Sequence, residues 1–170
     1  AAGQLFFAND KIDSYVDPKS LLPYRTSMNL VEGERRLSQI LTVSQETGTV
    51  TSDKGARIEV PVGTHDYVSF FYVVRTLGLV SGKKNAVTML VENKPKTIFV
   101  DALPRESIQL GTRRVQSIPL RLTTDDPEPD KYQLRMWISD DRQRLPLRIT
   151  CITKLGPLRA DLAILPTTAQ

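Results

Sequence analysis

Apolar and polar residues alternate with a period of two along most of the chain. In Tyr132–Ser139, Leu134, Met136 and Ile138 fall on one side while Arg135, Trp137 and Ser139 fall on the other. Asp140-Asp141 supplies turn chemistry, because aspartate side chains bond to backbone groups close by. Leu145, Leu147, Ile149 and Cys151 then continue the alternation on a return strand. Gly156-Pro157 interrupts it, and Leu158, Ala160, Leu162 and Ile164 start a third run, so this end of the chain reads as a β-meander. The same pattern recurs upstream. Lys11–Val16 is closed by Asp17-Pro18, and Tyr24–Val31 and Arg35–Val43 flank a turn at Glu32-Gly33-Glu34. Thr49–Ser52 and Ala56–Val60 are shorter runs. Ala86–Glu92 and Thr97–Leu103 surround Asn93-Lys94-Pro95-Lys96, and Ser107–Leu110 and Arg113–Leu122 pivot on Gly111. The pattern predicts about ten mostly antiparallel strands in one domain.

One stretch departs from this period. From His65 to Leu77 the chain is almost continuously apolar. Val73-Val74 and the aromatics favour a strand by propensity, but the run is long for one. Val68, Phe71, Tyr72 and Arg75 share a helical face by their spacing. Thr64 or Asp66 is placed to cap such a helix and Gly78 to end it. A helix over 65–77, apolar nearly all round, has to be covered on most sides; Phe70, Phe71, Val74 and Leu77 are its expected core contribution. The acidic stretch 123–130 reads as a connection between strands.

Composition narrows the function more than it defines it. The chain has 170 residues, which fits one domain able to bury a core without disulfides or metal. Its lone cysteine excludes a disulfide framework within the chain. No apolar run is long enough for a membrane-spanning helix. Lys and Arg number 23 against 19 Asp and Glu, a net +4. The basic residues are scattered and are not interleaved with aromatics, so nucleic-acid binding is not expected.

The parts for catalysis are scarce. Any nucleophile–histidine scheme must use His65, which sits in a turn-like Gly63-Thr64-His65-Asp66. No strained Gly-x-Ser-x-Gly elbow exists. Cys151 alternates with Leu147 and Ile149 and reads as a small core residue. The acidic loop lacks the glycine and terminal glutamate of a calcium-binding loop. Gly78–Lys84 falls one residue short of a phosphate loop and has Lys84 where the magnesium-binding hydroxyl belongs. The expectation is a protein that is not an enzyme and uses no cofactor or metal.

Met136–Ile149, with Trp137, Ser139-Asp140-Asp141, Arg144, Pro146 and Arg148-Ile149, resembles the signature of a bacterial domain-of-unknown-function family, number 3108. Ile12–Pro18, Thr64–Ser69, Tyr72–Leu77 and Lys154–Leu162 are similar to that family too. The resemblance implies an antiparallel β fold with a helix, of the curved half-barrel kind seen in lipoprotein carriers, and an exported protein of a Gram-negative type envelope. It implies no activity. It favours the helical reading, with Asp66, Ser69, Tyr72 and Arg75 on one slowly drifting face. Family members usually begin with further strands, so a chain starting at Ala1-Ala2-Gly3-Gln4 is expected to lack the first of them. In the signature, Asp140-Asp141 is expected to close a hairpin, Arg144 and Arg148 to pair with carboxylates, and Pro146 to mark an edge or bulge.

The sequence thus predicts a mainly β protein: a curved antiparallel sheet or half-barrel with one packed helix at 65–77. The expected function is non-catalytic binding, in the periplasm or cell envelope, of a lipid, another apolar ligand or a protein partner. Phe70, Phe71, Val74 and Trp137 are the expected contact residues. An accessory subunit of a membrane-associated assembly is the alternative within that class, and an uncharacterised hydrolase the alternative outside it.

Overall fold

The computed structural model of the chain describes residues 11–32, 35–153 and 156–164. The antiparallel β class is what the chain forms, and among the described residues it has twelve strands in two sheets. The first sheet runs β1 (Lys11–Val16), β2 (Pro23–Glu32), β3 (Arg35–Ser44), β4 (Thr49–Ser52) and β5 (Arg57–Glu59), paired in chain order. The helix α1 follows at Tyr67–Val74. The second sheet comprises β6 (Lys84–Val91), β7 (Lys94–Ala102), β8 (Glu106–Leu110), β9 (Arg113–Thr124), β10 (Arg135–Ser139), β11 (Pro146–Thr153) and β12 (Gly156–Asp161). Its spatial order is β12-β11-β10-β9-β7-β6, with β8 also paired to β9. A single helical turn, α2 (Pro127–Asp130), interrupts the acidic connection. The chain divides into two compact units, Ala1–Val73 with Thr88–Lys96 and Val74–Val87 with Thr97–Gln170.

In the first unit, alternation puts one face of the meander inside. Met28 pairs across the strands with Ile12 and Gln39, and Thr26 with Ser14 and Leu41. Met28, Leu41, Val43, Val50, Val60 and Leu90 form one core cluster, with Ile12, Ile58 and Tyr67 against it. Gly48, at φ +62, is required where it stands, because a Cβ there would lie 2.6 Å from the Val60 carbonyl oxygen.

In the second unit, β9 is the spine. Leu120 faces Met136 and Ile118 faces Ile138, and all four side chains are buried. Pro119 is tolerated inside this strand because its neighbour on one side changes there from β8, paired to 113–117, to β7, paired to 120–124. Ile108, Leu110 and Leu147 form a further cluster with Trp137, Val115, Leu145 and Leu162 against it.

Several boundaries differ from those read in the sequence, each for a local reason. The helix is shorter than 65–77. It starts after Asp66, which caps it, and stops at Val74 rather than at Gly78. Beyond that stop, the Arg144 guanidinium donates to the carbonyls of Arg75 (3.5 Å) and Leu77 (2.5 Å). The β6–β7 connection is not the tetrapeptide 93–96 but the dipeptide Glu92-Asn93. Both residues have positive φ, +50 and +62, as a tight primed turn requires. The strand predicted from Tyr132 begins at Arg135, because Gln133 turns the chain at φ +47. Gly156-Pro157 opens β12 instead of breaking the pattern. The turn expected at Glu32-Gly33-Glu34 lies mostly outside the described residues, as does the start at Ala1–Gln4.

Candidate apolar binding site

The inner face of β1–β3 carries Ile12, Thr26, Met28, Leu30, Leu37, Gln39 and Leu41, alternate residues of three strands in register. Together with Asp66 and Tyr67 at the start of α1, and Leu90, Glu92 and Asn93 at the β6–β7 turn, they line a hollow of about 320 Å³. Every one of these residues belongs to the first unit. The lining is dominated by aliphatic side chains, with Leu30 half-buried and Leu37 exposed. Such a hollow is at the small end of the ~300–1,000 Å³ typical of ligand pockets.

Its polar edge is built around Asp66. One carboxylate oxygen of Asp66 accepts from the backbone N–H groups of Val68 (3.1 Å) and Ser69 (2.7 Å), capping α1. The Ser69 hydroxyl accepts in return from the Asp66 N–H at 2.9 Å, a reciprocal capping box. The other oxygen accepts the Thr26 hydroxyl at 2.6 Å, so the cap also ties the helix to β2. His65, buried beside this cap, has Nδ1 3.2 Å from the Ser69 hydroxyl. Its backbone bonds to Thr88 and Leu90 (2.8 Å each), and burial holds the imidazole pKa below its ordinary value. Tyr67 accepts from the Glu92 N–H through its phenol oxygen at 3.3 Å, and burial raises the phenol pKa.

Two polar side chains on the same sheet face have no such partner. Gln39 lies between Met28 and the apolar residues Leu37 and Leu41 and is only 8% exposed. Its amide makes no hydrogen bond among the described residues. Ser14, across from Thr26, has a buried hydroxyl without a partner among the described residues.

The contact residues named from the sequence lie elsewhere. Phe70 is buried and Phe71 half-buried, their rings edge to face at 6.2 Å. Val74 is fully buried. None of the three lines the hollow, nor does Trp137. Trp137 is half-buried on β10, donating through its indole to Glu106 at 2.6 Å with the Arg148 guanidinium 6.0 Å from its ring centre.

The signature residues form a bonded frame within the second unit. Asp141 accepts from the N–H groups of Gln143 (2.9 Å) and Arg144 (3.0 Å) and from the Ser139 hydroxyl (2.8 Å), closing the β10–β11 connection. Asp140 pairs with Arg105 at 2.7 Å. Arg148 pairs with Asp161 at 2.7 Å, and that carboxylate also meets Arg159, which together hold its pKa well below the usual range. Arg144 bonds backbone carbonyls rather than a carboxylate. Pro146 sits at a β-bulge, where Trp137 faces Arg148 and Ile138 faces Pro146. Among the described residues no helix is long and apolar enough to cross a membrane.

The sequence reading passed over the residues that line the hollow, although one signal was present. Leu37, Gln39, Leu41 and Val43 alternate on β3, and a glutamine in that series places an amide on an apolar face.

Fold and site together define a mainly antiparallel β protein whose first sheet holds an apolar hollow with a few fixed polar groups. The chain belongs to the family described as protein of unknown function (DUF3108), whose model matches residues 1–163. No curated protein and no solved structure matches it.

Proposed function

We propose that the protein is a non-catalytic binder of an apolar ligand, which it takes into the hollow of its first unit. The observation that supports this is the hollow itself: about 320 Å³, walled by Ile12, Met28, Leu30, Leu37, Leu41 and Leu90. Transfer of apolar surface from water into such a lining is favourable by ~25 cal/mol per Å². Asp66 and Thr26 are committed to each other and to the helix cap, which suits a wall better than an acid–base catalyst. The resemblance of the signature supports a cell-envelope setting as part of this proposal, and fractionation of the producing bacterium tests it.

The neutral dye N-phenyl-1-naphthylamine brightens in apolar surroundings and tests the hollow directly. The native protein should bind it. Leu37→Glu, at a position 43% exposed and so compatible with the fold, should weaken binding about tenfold or more by placing a charge on the apolar rim. A dye that does not bind, or that binds Leu37→Glu equally well, would overturn the proposal.

A further inference from the structure

We infer that the ligand of this hollow is a single aliphatic chain ending in an uncharged hydrogen-bonding group, such as a hydroxyl or an amide, and that the Gln39 side chain holds that end. The inference rests on the reading of the hollow as a ligand site and adds what the ligand's head must be.

Three observations lead to it. The first is Gln39. The residue is only 8% exposed and part of the hollow's wall, and its amide, which makes no hydrogen bond among the described residues, is left accessible there for a ligand group. An amide offers both a donor and an acceptor, so one hydroxyl or one amide on a ligand satisfies it from either side. The second is charge. The titratable groups lining the hollow are Asp66, Tyr67 and Glu92, and no Lys or Arg lines it among the described residues. A carboxylate or phosphate head would meet the buried Asp66 where charge is poorly screened, the exposed Glu92 at the edge, and no cation among the described lining residues. A cationic head would find Glu92 exposed and screened by solvent, and at Asp66 no free oxygen to bond, since both are taken by Thr26 and the N–H groups of Val68 and Ser69. The third is size. A volume of about 320 Å³, at the ~30 Å³ that one water occupies in the liquid, equals roughly ten waters and suits one chain of similar length, not two.

The head therefore belongs at Gln39, between Met28 and the Leu37–Leu41 row, with the methylenes along Ile12, Leu30 and Leu90. Gln39 is a recognition residue, and its effect must depend on the head and not on the chain.

Displacement of N-phenyl-1-naphthylamine by 1-decanol, decanamide and decanoate separates these contributions. In the native protein the two neutral compounds should displace the dye at lower concentrations than decanoate. Gln39→Leu should lower the preference for decanol and decanamide over decanoate about 2- to 10-fold, the range of one net hydrogen bond, with each competitor referred to the dye affinity of the same variant. Gln39→Glu, which keeps the size and adds a third acid, should weaken decanoate further. If decanoate binds as tightly as decanol, or if Gln39→Leu changes all three competitors alike, the head-group inference fails while the hollow as a ligand site stands. If the dye does not bind the native protein at all, both fail.

Discussion

Removing the Asp66 carboxylate strips two bonds from the start of α1 and leaves the Thr26 hydroxyl buried without an acceptor. Loss of a cap costs ~0.5–2 kcal/mol and an unsatisfied buried group ~1–3 kcal/mol. Asp66→Ala should therefore destabilise the fold by about 3 kcal/mol in urea denaturation. Asp66→Asn keeps an acceptor for the helix N–H groups and should cost about 1 kcal/mol, since asparagine caps nearly as well as aspartate. Equal losses for the two variants would mean that the charge, and not the bonding pattern, holds this corner. Asp66 was legible as a cap because aspartate before an apolar run is a helix-start signal. Its second bond, to Thr26 forty positions away in the chain, was not. Gln39 was visible as an interruption of an apolar series, but only the register with Met28 shows that it faces into the hollow.

At the scale of elements, the Glu92-Asn93 turn is where local preference and structure disagree most. Asparagine tolerates positive φ, whereas glutamate at φ +50 pays the steric cost of its Cβ, ~1–2 kcal/mol. Glu92→Gly removes that strain but gives the unfolded chain more freedom to lose. The balance should stabilise the protein by about 0.5 kcal/mol, seen as a small rise in melting temperature; a fall would mean that the glutamate side chain holds the turn. Strand positions were largely legible, with Lys11–Val16 and Thr49–Ser52 read to the residue, because period-two alternation survives any tertiary arrangement. Turns were less so. Lys94-Pro95-Lys96 looks like loop, yet it begins β7, since two positive-φ residues had already reversed the chain. The predicted helix is too long because Leu77 and Gly78 supply an apolar end and a stop beyond Arg75-Thr76, whereas Arg144, almost seventy positions later, bonds the carbonyls that follow Val74.

For the molecule as a whole, His65 links stability to pH. Burial depresses its folded-state pKa below the ordinary ~6.5, so the unfolded chain binds a proton that the folded one resists. Stability is then full above about pH 6.5 and falls as the pH is lowered through that value towards the folded pKa. Urea denaturation from pH 7.5 to 5 should show this decline, and His65→Gln should flatten it. An unchanged slope in the variant would assign the pH dependence to other groups. The antiparallel β class was legible at this scale, whereas the division into two units was not. Its boundaries fall within α1, β6 and β7 rather than in linkers, so no shift in composition marks them.

That placement of the boundaries bears on how such a protein is inherited. Cutting after Val73 takes Thr88–Lys96 from the first unit, cutting after Val87 takes Val74–Val87 from the second, and cutting after Lys96 leaves Val74–Val87 on the wrong side. No single recombination breakpoint gives a gene segment encoding one unit and nothing of the other. A segment ending at Lys96 carries the whole hollow but brings Val74–Val87 of the second unit with it, and a chimera that grafts the first unit alone has to carry over the β6–β7 tip as a separate piece.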